Sequence, residues 1–230
     1  MKGLDYLLAG VTTHSDYSDT SFTIVQIMNY LDHLSKDKKL SKVISTQEPL
    51  KLRQRKNICL RLSASIMSQQ LSTKVAEVIF KRFLQLYGTE EPTPRQIVDT
   101  PFETLRSIGL SHAKTNYIQN VAQFILDNDL DDKHFKKMSN EEIISLLTQI
   151  KGVGKWTVEM LLMFTLGPED VFAIDDYGIQ VAMKKIYKLD DTNKKELKEN
   201  MLKISKKWSP FRTYACLHLW KWKDEPVITK

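Results

Sequence analysis

Two short stretches of the chain have the residue types and spacing to do chemistry. In Leu147-Thr148-Gln149-Ile150-Lys151-Gly152-Val153-Gly154-Lys155-Trp156-Thr157-Val158 a helical pattern stops, two glycines flank one apolar residue, and a second helical pattern starts at once. So tight a connection needs backbone with φ > 0, or approaches that a Cβ would obstruct. Val153 is placed to turn back and pin the two helices. The N–H groups that open the second helix then face outward, where they suit a phosphate. Lys151 and Lys155 add positive charge beside them. Such contacts hold the backbone of a nucleic acid and read no base edge. Alone, Gly-x-Gly is by default only a helical turn. One helix later, however, comes Gly167-Pro168-Glu169-Asp170-Val171-Phe172-Ala173-Ile174-Asp175-Asp176-Tyr177-Gly178-Ile179, an acidic pair between an apolar segment and a helix. A carboxylate there can be fixed at a helix N-terminus while apolar and aromatic neighbours exclude water.

The elements that must position these residues read at helical period. Apolar residues recur three and four apart from Leu60 through Met67 and on through Val75, Val78, Ile79, Phe83 and Leu86, a stretch closed by Tyr87-Gly88. Thr93-Pro94 and Thr100-Pro101 open two short segments. Further helical patterns run over about 113–126, 140–149, 156–166, 177–186, 194–208 and 214–222. Val171-Phe172-Ala173-Ile174 is apolar enough for a strand but too isolated to build a sheet, so the chain is expected to be all-α. Residues 36–56, with eight Lys or Arg from Lys36 to Lys56, read as a basic connector between an N-terminal helix and the core. The expected organisation is an uninformative segment over 1–20, one two-lobed helical domain over 21–222 with the hairpin at about 141–166, and a tail over 223–230.

Composition narrows the class. In 230 residues there are 34 Lys plus Arg against 28 Asp plus Glu, a net charge of +6, with 42% apolar residues and only 8 Gly and 7 Pro. That excludes collagen-like and disordered chains and supplies a real core. Two isolated cysteines, Cys59 and Cys216, exclude a disulfide scaffold, a CxxC zinc site and a four-cysteine iron–sulfur cluster. The five histidines show no ligand spacing. No window approaches the length of a membrane span, and the first residues do not read as a signal peptide. The expectation is a soluble, intracellular protein, in the cytoplasm (nucleoid) if bacterial, that needs no cofactor or structural metal.

In combination these motifs resemble the helix-hairpin-helix (HhH-GPD) DNA glycosylases, whose signature is the hairpin, a Gly/Pro-rich loop and an Asp. Gly152-Val153-Gly154-Lys155-Trp156-Thr157 and Asp175-Asp176-Tyr177 look most like the alkyladenine branch, the 3-methyladenine DNA glycosylase II type. Met67-Ser68-Gln69-Gln70-Leu71-Ser72 and Trp208-Ser209-Pro210-Phe211-Arg212-Thr213-Tyr214-Ala215-Cys216-Leu217-His218-Leu219-Trp220 match it too, so the likeness covers about residues 50–222. Larger bacterial members carry an N-terminal β-rich domain, for which the first 50 or so residues are too short and too helical. Bifunctional glycosylase/lyases place a nucleophilic Lys two residues after the second hairpin glycine. Here that position is Trp156, and Lys155 lies one helical step, about 100°, away.

The resemblance implies a monofunctional base excision repair enzyme that flips alkylated purines such as 3-methyladenine and 7-methylguanine from double-stranded DNA. It would hydrolyse their N-glycosidic bond and leave an abasic site. It implies Asp176 as the carboxylate that stabilises the oxocarbenium-like sugar, with Asp175 as competing candidate or helix cap. Trp156, Tyr177, Trp220 and Asp175 would form the base pocket, since electron-rich rings hold a cationic base. Lys151, Gly152, Val153, Gly154, Lys155 and Thr157 would bind DNA, joined by Gln69, Gln70, Leu71 and Ser72, where Gln70 or Leu71 is the wedge that fills the gap. Phe80, Phe83, Phe124 and Trp208 read as core. Arg212 reads either as a phosphate contact or as an ion pair near Asp176. The carbonyls of Thr148, Ile150 and Val153 are a candidate seat for a monovalent cation. The family habit implies a monomer. The competing readings are a non-enzymatic DNA-binding module of the same hairpin type and a lyase acting through Lys155.

Overall fold

The computed structural model describes residues 28–224, so the segment over 1–20 and most of the tail lie outside it. A helical stretch over 28–34 is followed by α1 (Lys38–Ile44), α2 (Ile58–Ser68), α3 (Thr73–Gln85), α4 (Pro94–Asp99), α5 (Phe102–Ser107) and α6 (His112–Asp127). Then come α7 (Asp132–Phe135), α8 (Asn140–Leu147), α9 (Lys155–Leu161), α10 (Tyr177–Tyr187), α11 (Lys194–Ser205) and α12 (Arg212–Asp224). Among the described residues there is no strand, as expected; residues 171–174 are buried loop. The chain divides into two compact units, residues 53–167 and residues 28–52 with 168–224.

The first unit is built around α2, where every residue from Ile58 to Met67 is buried. A helix buried on all sides belongs at a core, and α2 packs against α6 and α9. The run that ends at Gly88 is two helices rather than one: Gln70 at φ +56 reverses the chain, and Ser72 caps α3 by accepting from Val75 N. α9 continues as one π-helical turn over Leu162–Leu166 and stops at Gly167, φ +71.

In the second unit, α12 packs on α10 and α1. Residues 36–56 are not wholly connector, because α1 lies within them. Asp37 caps it by accepting from Lys39 N and Leu40 N, and Leu40, Val43 and Ile44 form its buried face. The second oxygen of Asp37 accepts from Tyr187 Oη (2.8 Å) and Trp208 Nε1 (3.1 Å). Burial alone would raise the Asp37 pKa; those side-chain and backbone donors outweigh it and hold the carboxyl below its usual range. Trp208, Phe80 and Phe83 are core, as read from the sequence, whereas Phe124 is only half-buried.

Candidate active site

The loop over 168–175 is fixed to the first turn of α12 before it reaches the acidic pair. Thr213 Oγ1 donates to Pro168 O (2.7 Å) and accepts from Val171 N (2.9 Å), and Thr213 N donates to Glu169 O (2.9 Å). Arg212 forms a two-pronged pair with Asp170, through Nε (2.6 Å) and an Nη (2.9 Å), and Ser209 Oγ donates to the same carboxylate. Arg212 is therefore a structural ion pair that ties down the loop into Asp176. Burial would raise the Asp170 pKa, but the Arg212 and Ser209 hydrogen bonds and the guanidinium charge lower it.

Asp176 is the N-cap of α10. Its Oδ1 accepts from Ile179 N (2.9 Å) and from Trp220 Nε1 (2.7 Å), and the residue is 9% exposed. Capping and the proposed chemistry thus fall on one residue, which corrects the expectation that Asp175 is the cap. Asp175 lies outside the first turn, half-exposed, in an ion pair with Lys198. Gly178 makes the arrangement possible. A Cβ there would lie 2.9 Å from Trp220 Cδ1, 3.0 Å from its Nε1 and 3.1 Å from Asp176 Oδ1. Trp220, read from the sequence as a wall of the pocket, is 7% exposed and spends its N–H on the carboxylate. Tyr177, by contrast, is 75% exposed beside the buried Asp176.

In the other unit the hairpin has the expected build. Val153 is 5% exposed and its N–H closes the turn on Ile150 O (3.0 Å). The two glycines differ in what demands them. Gly152 has φ +101 and lies against Tyr117 of α6, where an added Cβ would be 2.1 Å from Cγ. Gly154 caps α9 in an extended conformation, φ −93, and a Cβ on it would meet nothing within 4 Å among the described residues. The space in front of Gly154 and the opening N–H groups of α9 are thus left clear for a ligand. Lys151 is exposed, and Lys155, about half-exposed, pairs with Glu159 across one turn. Trp156 is half-buried. Thr157 is 3% exposed and its hydroxyl accepts from Gln69 Nε2 (3.3 Å), so its side chain is directed at the neighbouring turn. In that turn Gln70 and Leu71 are exposed at the tip, while Ser72 is a helix cap.

The family model of HhH-GPD superfamily base excision DNA repair proteins matches residues 63–209, which contain the turn, the hairpin and the capping Asp. The chain belongs to this family. Among similar proteins, DNA-3-methyladenine glycosylase 1 of Schizosaccharomyces pombe is 37% identical over 205 residues, spanning 88% of each chain. The solved structure of the S. pombe 3-methyladenine DNA glycosylase Mag1 with abasic DNA superposes with a TM-score of 0.75 at 35% identity, covering 88% of this chain and all of that one. A DNA-3-methyladenine glycosidase from Bacillus halodurans gives 0.73 at 34% identity, covering 84% and 87%.

Several residues of this HhH-GPD protein that hold the site were not read from the sequence. Gly178, Asp170 and Tyr117 act through contacts with distant segments, and of these only Gly178 and Asp170, inside the Gly-Pro-Glu-Asp…Asp-Asp-Tyr-Gly stretch, carried a local signal. Among the described residues no group of three or more His, Cys, Asp or Glu could hold a metal, and no helix is long and apolar enough to cross a membrane.

Proposed function

We propose that the chain is a monofunctional DNA glycosylase of the 3-methyladenine type, acting on alkylated purines in double-stranded DNA. The observation that carries this is the carboxylate of Asp176, buried at a helix N-terminus with Oδ1 fixed by Trp220 and Ile179, in a member of a base excision repair family. A backbone-binding module would use the cap, but it does not need the second donor, Trp220 Nε1, on the same carboxylate oxygen or the exposed aromatic ring of Tyr177 beside it.

N3- or N7-alkylated purines already carry positive charge, so the C1′–N bond breaks with both electrons leaving on the base and no strong general acid is needed. The sugar becomes oxocarbenium-like. Asp176 opposes that charge at fixed geometry and takes or directs the proton of the water that adds to C1′, leaving an abasic site. Tyr177, exposed beside Asp176, would stack on the extruded cation. The N–H groups before α9, with Lys151 and Lys155, would hold backbone phosphate, and the tip of the Gln69–Leu71 turn would fill the vacated space. The carbonyls of Thr148, Ile150 and Val153 would hold a monovalent cation, which would add positive charge at the phosphate-binding end of the hairpin: they are hard oxygens, and Ile150 O keeps a lone pair after accepting from Val153 N. Trp156 stands where a lyase needs its amine, so strand cleavage is not expected. An intracellular monomer, with residues 21–222 acting as one domain, completes the reading.

The test is single-turnover release of 7-methylguanine from a duplex, beside Asp176→Asn. Release that collapses in the variant while DNA affinity persists supports the proposal. Binding without release by either protein, or an imine trapped by borohydride, overturns it.

A further inference from the structure

α2 ends at Ser68 and, like any helix, leaves carbonyls without partners in its last turn. Here each can be accounted for. Ser65 O accepts from Ser68 Oγ, Ile66 O from Gln69 N, and Ser68 O from Leu71 N. The remaining two, Met67 O and Gln69 O, are both taken by one ammonium, Lys114 Nζ, at 2.9 and 2.6 Å. Lys114 comes from the first turn of α6, some 45 residues away, and is itself fixed by the Ser111 cap, whose Oγ accepts Lys114 N. Burial lowers its pKa, as expected where an ammonium exchanges water for two carbonyls.

The turn so held is strained. Gln70, a non-glycine residue at φ +56, sits immediately after the carbonyl that Lys114 grips, and the exposed tip begins there. The same side of α6 also carries the hairpin. Tyr117, three residues on, packs under Gly152, and Asn120, three further, donates to Lys151 O (3.3 Å). Residues three apart share a helix face. One helix therefore holds the Gln69–Leu71 turn with one residue and the Lys151–Gly152 loop with the next two, and Gln69 Nε2 on Thr157 closes the link to α9.

We propose that Lys114 is a positioning residue for base extrusion: its ammonium holds the wedge turn at a set distance from the phosphate-binding hairpin. This rests on the proposed glycosylase reading and assigns the step that Lys114 serves. Without that ammonium the hairpin still grips undamaged duplex, but the tip is no longer presented.

The experiment compares wild type, Lys114→Met, and a tip variant carrying Gln70→Ala with Leu71→Ala. It measures affinity for undamaged duplex, affinity for duplex with an abasic-site analogue, and single-turnover release of 7-methylguanine. For Lys114→Met the expected result is unchanged affinity for undamaged duplex and a preference for the abasic duplex reduced about tenfold, which is about 1.4 kcal/mol, with slower release, as in the tip variant. Lys114→Cys treated with 2-bromoethylamine rebuilds an ammonium of nearly the same reach. Cys59 and Cys216 are buried and shielded from the reagent. Recovery of the preference on aminoethylation separates positioning from misfolding. Lys114→Met that keeps the wild-type preference, while the tip variant loses it, overturns the inference alone, as does loss that aminoethylation fails to restore. A wild-type protein with neither preference nor base release overturns the glycosylase reading and the inference with it.

Discussion

Trp220→Phe is the sharpest probe of how the candidate carboxylate is held. The substitution keeps an aromatic ring against α10 and removes one atom pair, the 2.7 Å bond from Nε1 to Asp176 Oδ1. A hydrogen bond to an ionised group contributes about 1.5–3 kcal/mol. If that bond aims the carboxylate at C1′, its loss falls on the chemical step and lowers kcat about 10- to 150-fold, with DNA affinity unchanged. The assay is single-turnover base release at saturating enzyme, with a binding isotherm and a melting curve on the same preparation. Gly178→Ala should strike the same contact from the other side, because its Cβ would stand 2.9 Å from the indole Cδ1. The two changes break one interaction, so the double variant should be no slower than the worse single one. A Trp220→Phe enzyme that releases base at the wild-type rate would refute this reasoning, and strictly additive losses would place the two residues in separate roles.

Two other predictions follow from the same structure. Gly152→Ala drives a Cβ into Tyr117 and forces φ +101 on alanine, so it should lower Tm by several degrees; Gly154→Ala should leave Tm unchanged yet weaken binding to damaged and undamaged duplex alike. Equal effects of the two on melting would refute the open space before Gly154. The second concerns His218, which is fully buried, donates from Nδ1 to Gln47 Oε1 (2.8 Å), and has no partner for Nε2 among the described residues. Burial, with a smaller part from Lys221, pushes its pKa down from 6.5 to about 4. The unfolded chain binds that proton first, so the stability it contributes is complete above about pH 6.5 and is lost as pH falls toward 4, about 3 kcal/mol in all. Melting curves from pH 7.5 to 4.5 should converge for wild type and His218→Phe; parallel curves would sink the assignment.

Much of the fold was legible because most of its helices are bounded by local chemistry. Thr93 with Gln96 and Ser139 with Glu142 form capping boxes, and the 3.6-residue pattern marks the buried faces between. What escaped depended on tertiary partners. Asp37 lies in the stretch read as a basic connector, yet it caps a helix and receives Tyr187 and Trp208 from far along the chain. Which of Asp175 and Asp176 caps α10 turns on a single step of chain direction, and the sequence around them suits either. Thr157 stands two residues after the exposed Lys155, and only its burial shows that it faces inward. Lys114 carried no signal of its own.

The left-handed backbone at residue 70 restricts what any such tip can be made of. Valine, isoleucine and threonine at this position would set a branched Cβ against the neighbouring carbonyl, whereas asparagine, aspartate and histidine tolerate the conformation best after glycine. The repertoire of side chains available here is therefore set by main-chain torsion as much as by fit to a gap in stacked bases. An engineer seeking a bulkier plug would do better to enlarge Leu71, next along the turn, than to replace Gln70 with a β-branched residue.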